Sequence, residues 1–226
     1  MKRVLSIFLA LCMSIGWFAA SIYLLGTGNI TMRTIMKCYA PPQDTGLPAE
    51  EYAPVVSMIT SYLKGDEVPF QHIYTVNGTE YAAFNAKEQH HMADVQDLFR
   101  LCKLIGFVCL GGYLLAELYL LWGDKDRTNW RAFRRTLIAI LAAVTIIIIA
   151  ACIDFDSLFI LFHKVAFTND LWLLNPQTDL LIRLMPIEFF ILYALLIGLL
   201  WLLGMVGLLV ISTLFIRKQK KGSDIK

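Results

Sequence analysis

The chain has 226 residues, 58% of them hydrophobic and 17% charged. Soluble domains are usually about 25% charged, so this composition points away from that class. The formal net charge of +2 supplies no argument for a nucleic-acid partner, and none is expected.

A hydrocarbon core about 30 Å thick takes roughly 20 mainly apolar residues per helix. Four stretches meet or approach that length: 4–25, 101–122, 137–153 and 189–216. Twelve of the 20 Lys and Arg residues fall in 1–3, 123–135 and 217–226, whereas 26–98 holds four and 154–188 two. The positive-inside rule therefore places both termini and the 123–135 loop in the cytoplasm, with 26–98 and 154–188 outside. The expected fold is an all-α membrane protein with four transmembrane helices. A small mixed extracytoplasmic domain is inserted between the first and second, and 217–226 forms a basic cytoplasmic tail.

The first run follows Lys2-Arg3 and continues for 22 residues, longer than a signal-peptide core, so an uncleaved anchor is expected. The outer segment 26–98 is too long for a plain connection and should fold. Pro41-Pro42 and Gly46 break it early. Helical spacing of Val55, Val56, Ile59, Tyr62 and Leu63 predicts an amphipathic helix over 48–64. Asn77-Gly78 between β-formers predicts a type I′ hairpin within 73–84. Asn85-Ala86-Lys87-Glu88 reads as a capping box opening one long helix, 86–122. Glu117, inside the second span, is expected to pair with Arg131 or Arg134. The stretch 155–162 is apolar but too short to cross, so it is expected at the interface, with His163 directly after it. Asn175-Pro176 predicts a short helix over 176–185.

Five cysteines are present without a CxxC pair, and neither a disulfide framework nor a zinc ribbon is implied. All four histidines (His72, His90, His91, His163) lie in the outer segments. Asp94 stands four residues after His90 and three after His91, within reach of either on a helix. Asp156 and Asp170 flank His163 at seven residues on each side and share its face if that region is helical. A histidine in an acidic outer segment is equally compatible with an ordinary solvated side chain. Zinc-ligand residue types are present, but neighbouring helical histidines point about 100° apart and HExxH is absent, so no metal is expected. No nucleophile elbow, P-loop or dinucleotide fingerprint occurs. Arg183 and Lys103, near the outer surface, are candidates for lipid contact.

Several blocks together resemble the bacterial lipoprotein intramolecular transacylase family. They are Gln89-His90-His91-Met92-Ala93-Asp94-Val95, Phe162-His163, Asn169-Asp170-Leu171-Trp172, Asn175-Pro176, Asp179-Leu180-Leu181-Ile182 and Pro186-Ile187-Glu188-Phe189-Phe190. The resemblance runs in order through nearly the whole chain and includes the four-span layout. It implies an enzyme at the outer face of the bacterial plasma membrane that acts on diacylglyceryl lipoproteins. The sn-2 acyl chain moves to the α-amino group of the N-terminal cysteine, giving a lyso-form lipoprotein. No cofactor is implied, and no obligatory protein partner beyond the lipoprotein substrate and membrane lipid. The catalytic matches are His91 and His163, one as base and the other as oxyanion-stabilising group and acid, in an order the residues leave open. Asp94, Asp170, Asn169 and Trp172 are candidates for supporting them. A non-enzymatic envelope sensor or accessory protein, and a metal-dependent membrane hydrolase, are the competing readings.

Overall fold

The computed structural model describes the backbone of residues 2–66, 69–123 and 130–223, and their side chains except at 2, 117–123, 152 and 218–223. The expectation for Glu117, and residues 124–129 of the 123–135 loop, lie outside the described residues.

In chain order the elements are α1 (Lys2–Gly26), α2 (Asn29–Tyr39), α3 (Pro42–Thr45), α4 (Ala49–Lys64), β1 (Ile73–Val76), β2 (Thr79–Ala82), α5 (Ala86–Gly123), α6 (Trp130–Ile153), α7 (Phe155–Ala166), α8 (Leu180–Leu184) and α9 (Ile187–Ser223). Four helices are long and apolar enough to cross a membrane, over Arg3–Gly26, Ala86–Ala116, Trp130–Ala151 and Ile187–Arg217. They leave large apolar side chains such as Phe107, Ile146 and Leu203 exposed, as suits helices solvated by lipid. The third helix starts at Trp130, seven residues before the predicted 137. Trp130 stacks on Phe215 at 4.6 Å and meets Phe133 edge-on at 5.6 Å, which holds those roughly two extra turns in the helix.

The chain forms two compact units. The first comprises Met1–Ser21, Lys103–Ile153 and Ile197–Lys226. Its core is Leu9 and Ala10 of α1, Phe133 and Leu137 of α6, and Trp201 and Met205 of α9. Two indoles cross-link α1 and α9: Trp17 Nε1–H donates to the Leu200 carbonyl at 3.0 Å, and Trp201 Nε1–H to the Ser14 carbonyl at 3.1 Å. In lipid no water is available to satisfy an indole N–H, so these bonds set the register of the two helices. A Cβ on Gly204 would lie 2.2 Å from Trp17 Nε1, so the absence of a side chain there is what admits the ring.

The second unit comprises Ile22–Cys102 and Asp154–Leu196. The small outer domain expected from 26–98 alone therefore also draws on the later segment. Helix α2, which the early prolines did not suggest, buries Met32, Ile35 and Met36. It packs on α4, which buries Val55, Val56, Ile59 and Leu63. Asn29 Nδ2 donates to Ser57 and Thr60, and the Tyr52 hydroxyl to the Ala40 carbonyl at 2.7 Å, fastening both ends of α2. The hairpin forms as predicted, with Asn77 at φ 52° and Gly78 at φ 80°, and Tyr74 paired with Tyr81. Gln71 closes its base by donating to the Phe84 carbonyl and accepting from the Phe84 N–H.

Candidate active site

The capping box that opens α5 is reciprocal: Glu88 N–H donates to Asn85 Oδ1 at 3.0 Å, and Asn85 N–H to Glu88 Oε2 at 2.8 Å. The same pair reaches across the unit to Asp179 and the first turn of α8. The other Glu88 oxygen accepts the Leu181 N–H at 2.6 Å, and Asn85 Nδ2 donates to Asp179 Oδ1 at 2.9 Å. Burial by itself would raise the Asp179 carboxyl. The Asn175 N–H, the Thr178 hydroxyl and the Asn85 amide outweigh it and hold Asp179 below the ordinary 3.8. Asp179 Oδ2 also closes the loop back onto Asn175, and this keeps 176–179 out of the helix predicted there; α8 begins only at Leu180.

This anchoring places the start of α5 beside α7 and the loop that follows it. Asp154 caps α7 by accepting from the Ser157 N–H at 3.0 Å. The helix runs on four residues past the predicted apolar stretch and carries His163 in its last turn. His91 and His163 are 7% and 6% exposed, with ring centroids 6.3 Å apart. Phe167 touches both, at 5.3 Å from His91 and 5.6 Å from His163. Phe159 at 4.1 Å, Trp172 at 5.0 Å and Phe162 at 5.2 Å complete an aromatic wall around His163.

His163 Nδ1 lies 2.8 Å from the Phe159 carbonyl, which can only accept. The proton is therefore on Nδ1, and Nε2 keeps its lone pair. Burial pushes the His163 imidazole below its ordinary 6.5, and the Phe159 carbonyl opposes this only in part. His91 Nδ1 is buried and has no hydrogen-bond partner among the described residues. A buried polar atom without a partner costs about 1–3 kcal/mol, and His91 Nδ1 is left able to take a further hydrogen bond.

The other predicted residues divide. Asp94 accepts from Asn169 Nδ2 at 2.9 Å, tying α5 to the loop after α7 instead of bonding either histidine at Nδ1. Asp170 lies beyond the end of α7, so Asp156, His163 and Asp170 do not form one helical face. His90 is exposed, and His72 pairs with Glu51 at 2.7 Å. Arg183 covers Gly46 and its Nε donates to the Asp179 carbonyl; Lys103 is exposed on α5. Among the described residues no three His, Cys, Asp or Glu side chains gather as a ligand set. Sequence reasoning gave no role to Phe159, Phe167 or Asp179, although Asp179 stands in one of the blocks that carry the resemblance. The Phe159–His163 spacing of four on a helix was the available signal for the first.

Fold and site together define a multi-pass membrane protein with two buried, adjacent imidazoles in an aromatic pocket. A family profile described as lipoprotein intramolecular transacylase Lit matches residues 7–190, and the chain belongs to that family. It is an integral membrane acyltransferase, a lipoprotein intramolecular transacylase, which displaces the sensor and metal-hydrolase readings. Among solved structures it is similar to the transacylase Lit from Bacillus cereus, with TM-score 0.78, 20% identity and 98% of each chain covered. It is also similar to two variants of that protein. One carries a histidine-to-arginine mutation (TM-score 0.72, 19% identity, 98% and 95% covered) and the other a histidine-to-alanine mutation (0.72, 20%, 98% and 96%). No curated protein sequence matches significantly.

Proposed function

We propose that the chain moves the sn-2 acyl chain of a diacylglyceryl lipoprotein to the α-amino group of its N-terminal cysteine, leaving a lyso-form lipoprotein. The charge asymmetry of the termini and loops supports a site at the outer face of the bacterial plasma membrane, with both termini inside. The observation that carries the reading is the imidazole pair with complementary free atoms. His163 offers a lone pair at Nε2, and His91 an unpartnered Nδ1.

His163 is the base. The amine nitrogen attacks the sn-2 carbonyl carbon and forms the C–N bond, and its proton passes to His163 Nε2. The carbonyl oxygen becomes the tetrahedral oxyanion, and an N–H at His91 Nδ1 stabilises it. The C–O bond to the glycerol then breaks, and the proton held on His163 Nε2 passes to the departing oxygen, while the His91 N–H stays hydrogen-bonded to the collapsing oxyanion. His163 returns to its neutral form and His91 is unchanged, so an ester and an amine leave as an amide and an alcohol with no net proton change. Nucleophile and ester belong to one molecule, which removes the entropy of bringing two substrates together. Phe159, Phe162, Phe167 and Trp172 exclude water that would otherwise hydrolyse the ester. Ile160, Leu161, Phe162 and Val165 present an exposed apolar face of α7 suited to acyl chains.

The test is mass spectrometry of lipoprotein N-terminal peptides from cells lacking N-acylation, with and without this protein. The expected result is one acyl chain moved to the cysteine nitrogen at constant total mass. Peptides that keep a free amine and two O-linked chains overturn the reading. The protonation state of His163 gives a second test. Its pKa is depressed, so the neutral base persists as pH falls below 6.5, and the acid limb that the enzyme itself contributes to the rate profile is expected below that value. Purified protein assayed from pH 5 to 8, with the substrate amine titrated separately, checks it; a limb at or above 6.5 that is not the amine's own assigns the base elsewhere.

A further inference from the structure

We infer that the first unit carries a separate binding site, a cleft between α1 and α6 that takes the phosphate of an anionic glycerophospholipid from the leaflet next to the basic chain ends. The cleft holds about 420 Å³ and is lined by Arg3 of α1 and by Arg131 and Arg135 of α6. That volume suits a headgroup with its glycerol, since small-molecule sites run from about 300 to 1,000 Å³. Arg131 and Arg135 are four apart and share a face of α6, as Arg3 and Ile7 do on α1. Moving along both helices away from the charged ends, the lining turns apolar, to Ile7 and Ala139. Thr136 has its hydroxyl committed to the Ala132 carbonyl at 3.1 Å, so the guanidinium groups are the donors that face the cleft.

Three guanidinium groups brought to one concavity repel each other, and among the described residues no carboxylate lines it. An anion relieves that repulsion. The planar fork of arginine binds phosphate oxygens in pairs, which favours phosphate over a diffuse counter-ion atmosphere. Basic residues at the ends of membrane helices commonly do no more than set orientation. What goes beyond that here is their convergence from two helices on one hollow whose floor becomes apolar, the form of a headgroup pocket. Free phosphate shares the charged chemistry but has no use for the apolar floor.

The experiment uses the full chain, purified and delipidated in neutral detergent, and titrated in native mass spectrometry with phosphatidylglycerol, phosphatidylcholine or inorganic phosphate. Phosphatidylglycerol is expected to bind about tenfold more tightly than phosphatidylcholine. The double variant Arg131→Gln, Arg135→Gln is expected to lose that preference. Since deleting charge can disturb insertion, Ala139→Trp is run beside it; it fills the cleft, keeps every charge and is expected to lose the preference too. Equal binding of the two lipids by the wild type, or a preference kept by both variants, overturns the site. Inorganic phosphate that occupies it as tightly as the lipid overturns the lipid assignment.

Discussion

Replacing His163 by alanine abolishes acyl transfer, a fall of about 10²- to 10⁴-fold, while the protein still inserts and melts as a folded unit. The expectation follows from the proposed role of Nε2 as base, with Nδ1 anchored 2.8 Å from the Phe159 carbonyl. His163→Asn separates that role from packing. An asparagine amide can still donate to the Phe159 carbonyl, as Nδ1 does, but it has no basic nitrogen at the Nε2 position. It is therefore expected to melt near the wild type and to be as inactive as the alanine variant. His91 behaves differently if its Nδ1 donates a hydrogen bond. His91→Asn keeps a donor near that atom and should retain about tenfold more activity than His91→Ala, since one donor to a developing oxyanion is worth at least that much. The measurement is the rate of conversion of diacylglyceryl lipopeptide to the lyso-form, beside a melting curve in detergent. Full activity in His163→Ala sinks the assignment of the base. Equal rates for His91→Asn and His91→Ala remove the Nδ1 donor from the mechanism.

Glu88→Ala is expected to be the most damaging substitution outside the histidines. Its two oxygens accept from the Asn85 and Leu181 N–H groups, at 2.8 and 2.6 Å, and the side chain is 1% exposed. Truncation orphans both donors, the Leu181 N–H in a buried place and the Asn85 N–H in a part-buried one. At about 1–3 kcal/mol for each unsatisfied group, the second unit loses roughly 2–6 kcal/mol. Activity falls with it, because the same bonds hold the start of α5, three residues before His91, to the segment opening α8. Glu88→Gln should fall between. Each carboxylate oxygen accepts from an N–H, and the amide of glutamine turns one acceptor into a donor facing a donor. Thermal melting of the three proteins gives the order: wild type, then Gln, then Ala. An unchanged melting temperature in Glu88→Ala would show that the capping box and its cross-chain bond hold nothing together.

Short-range patterns on the chain were enough for much of this fold. The four apolar spans follow from bilayer thickness and composition, α4 from its helical spacing, and the hairpin from Asn77-Gly78, whose backbone takes positive φ at both residues. The unbroken helix from Ala86 followed from the Asn85–Glu88 box, because both partners of a cap lie within one turn. Family resemblance pointed to His91 and His163; spacing alone did not separate His91 from His90. That choice is made by the rotation of α5 in its unit, which buries one imidazole and exposes the other. The partners that matter most are far apart in sequence: Glu88 with Leu181 at 93 residues, Asn85 with Asp179 at 94, Asp94 with Asn169 at 75. None of these residue types announces such a partner, since asparagine, aspartate and glutamate serve equally well at caps, in turns and in water. By itself the sequence determined where the chain crosses lipid and where its local elements start. Tertiary structure decided which imidazole is buried, which ring atom keeps its lone pair, and which carboxylates hold the frame, because those outcomes depend on donors and acceptors that meet only after the two outer segments pack together.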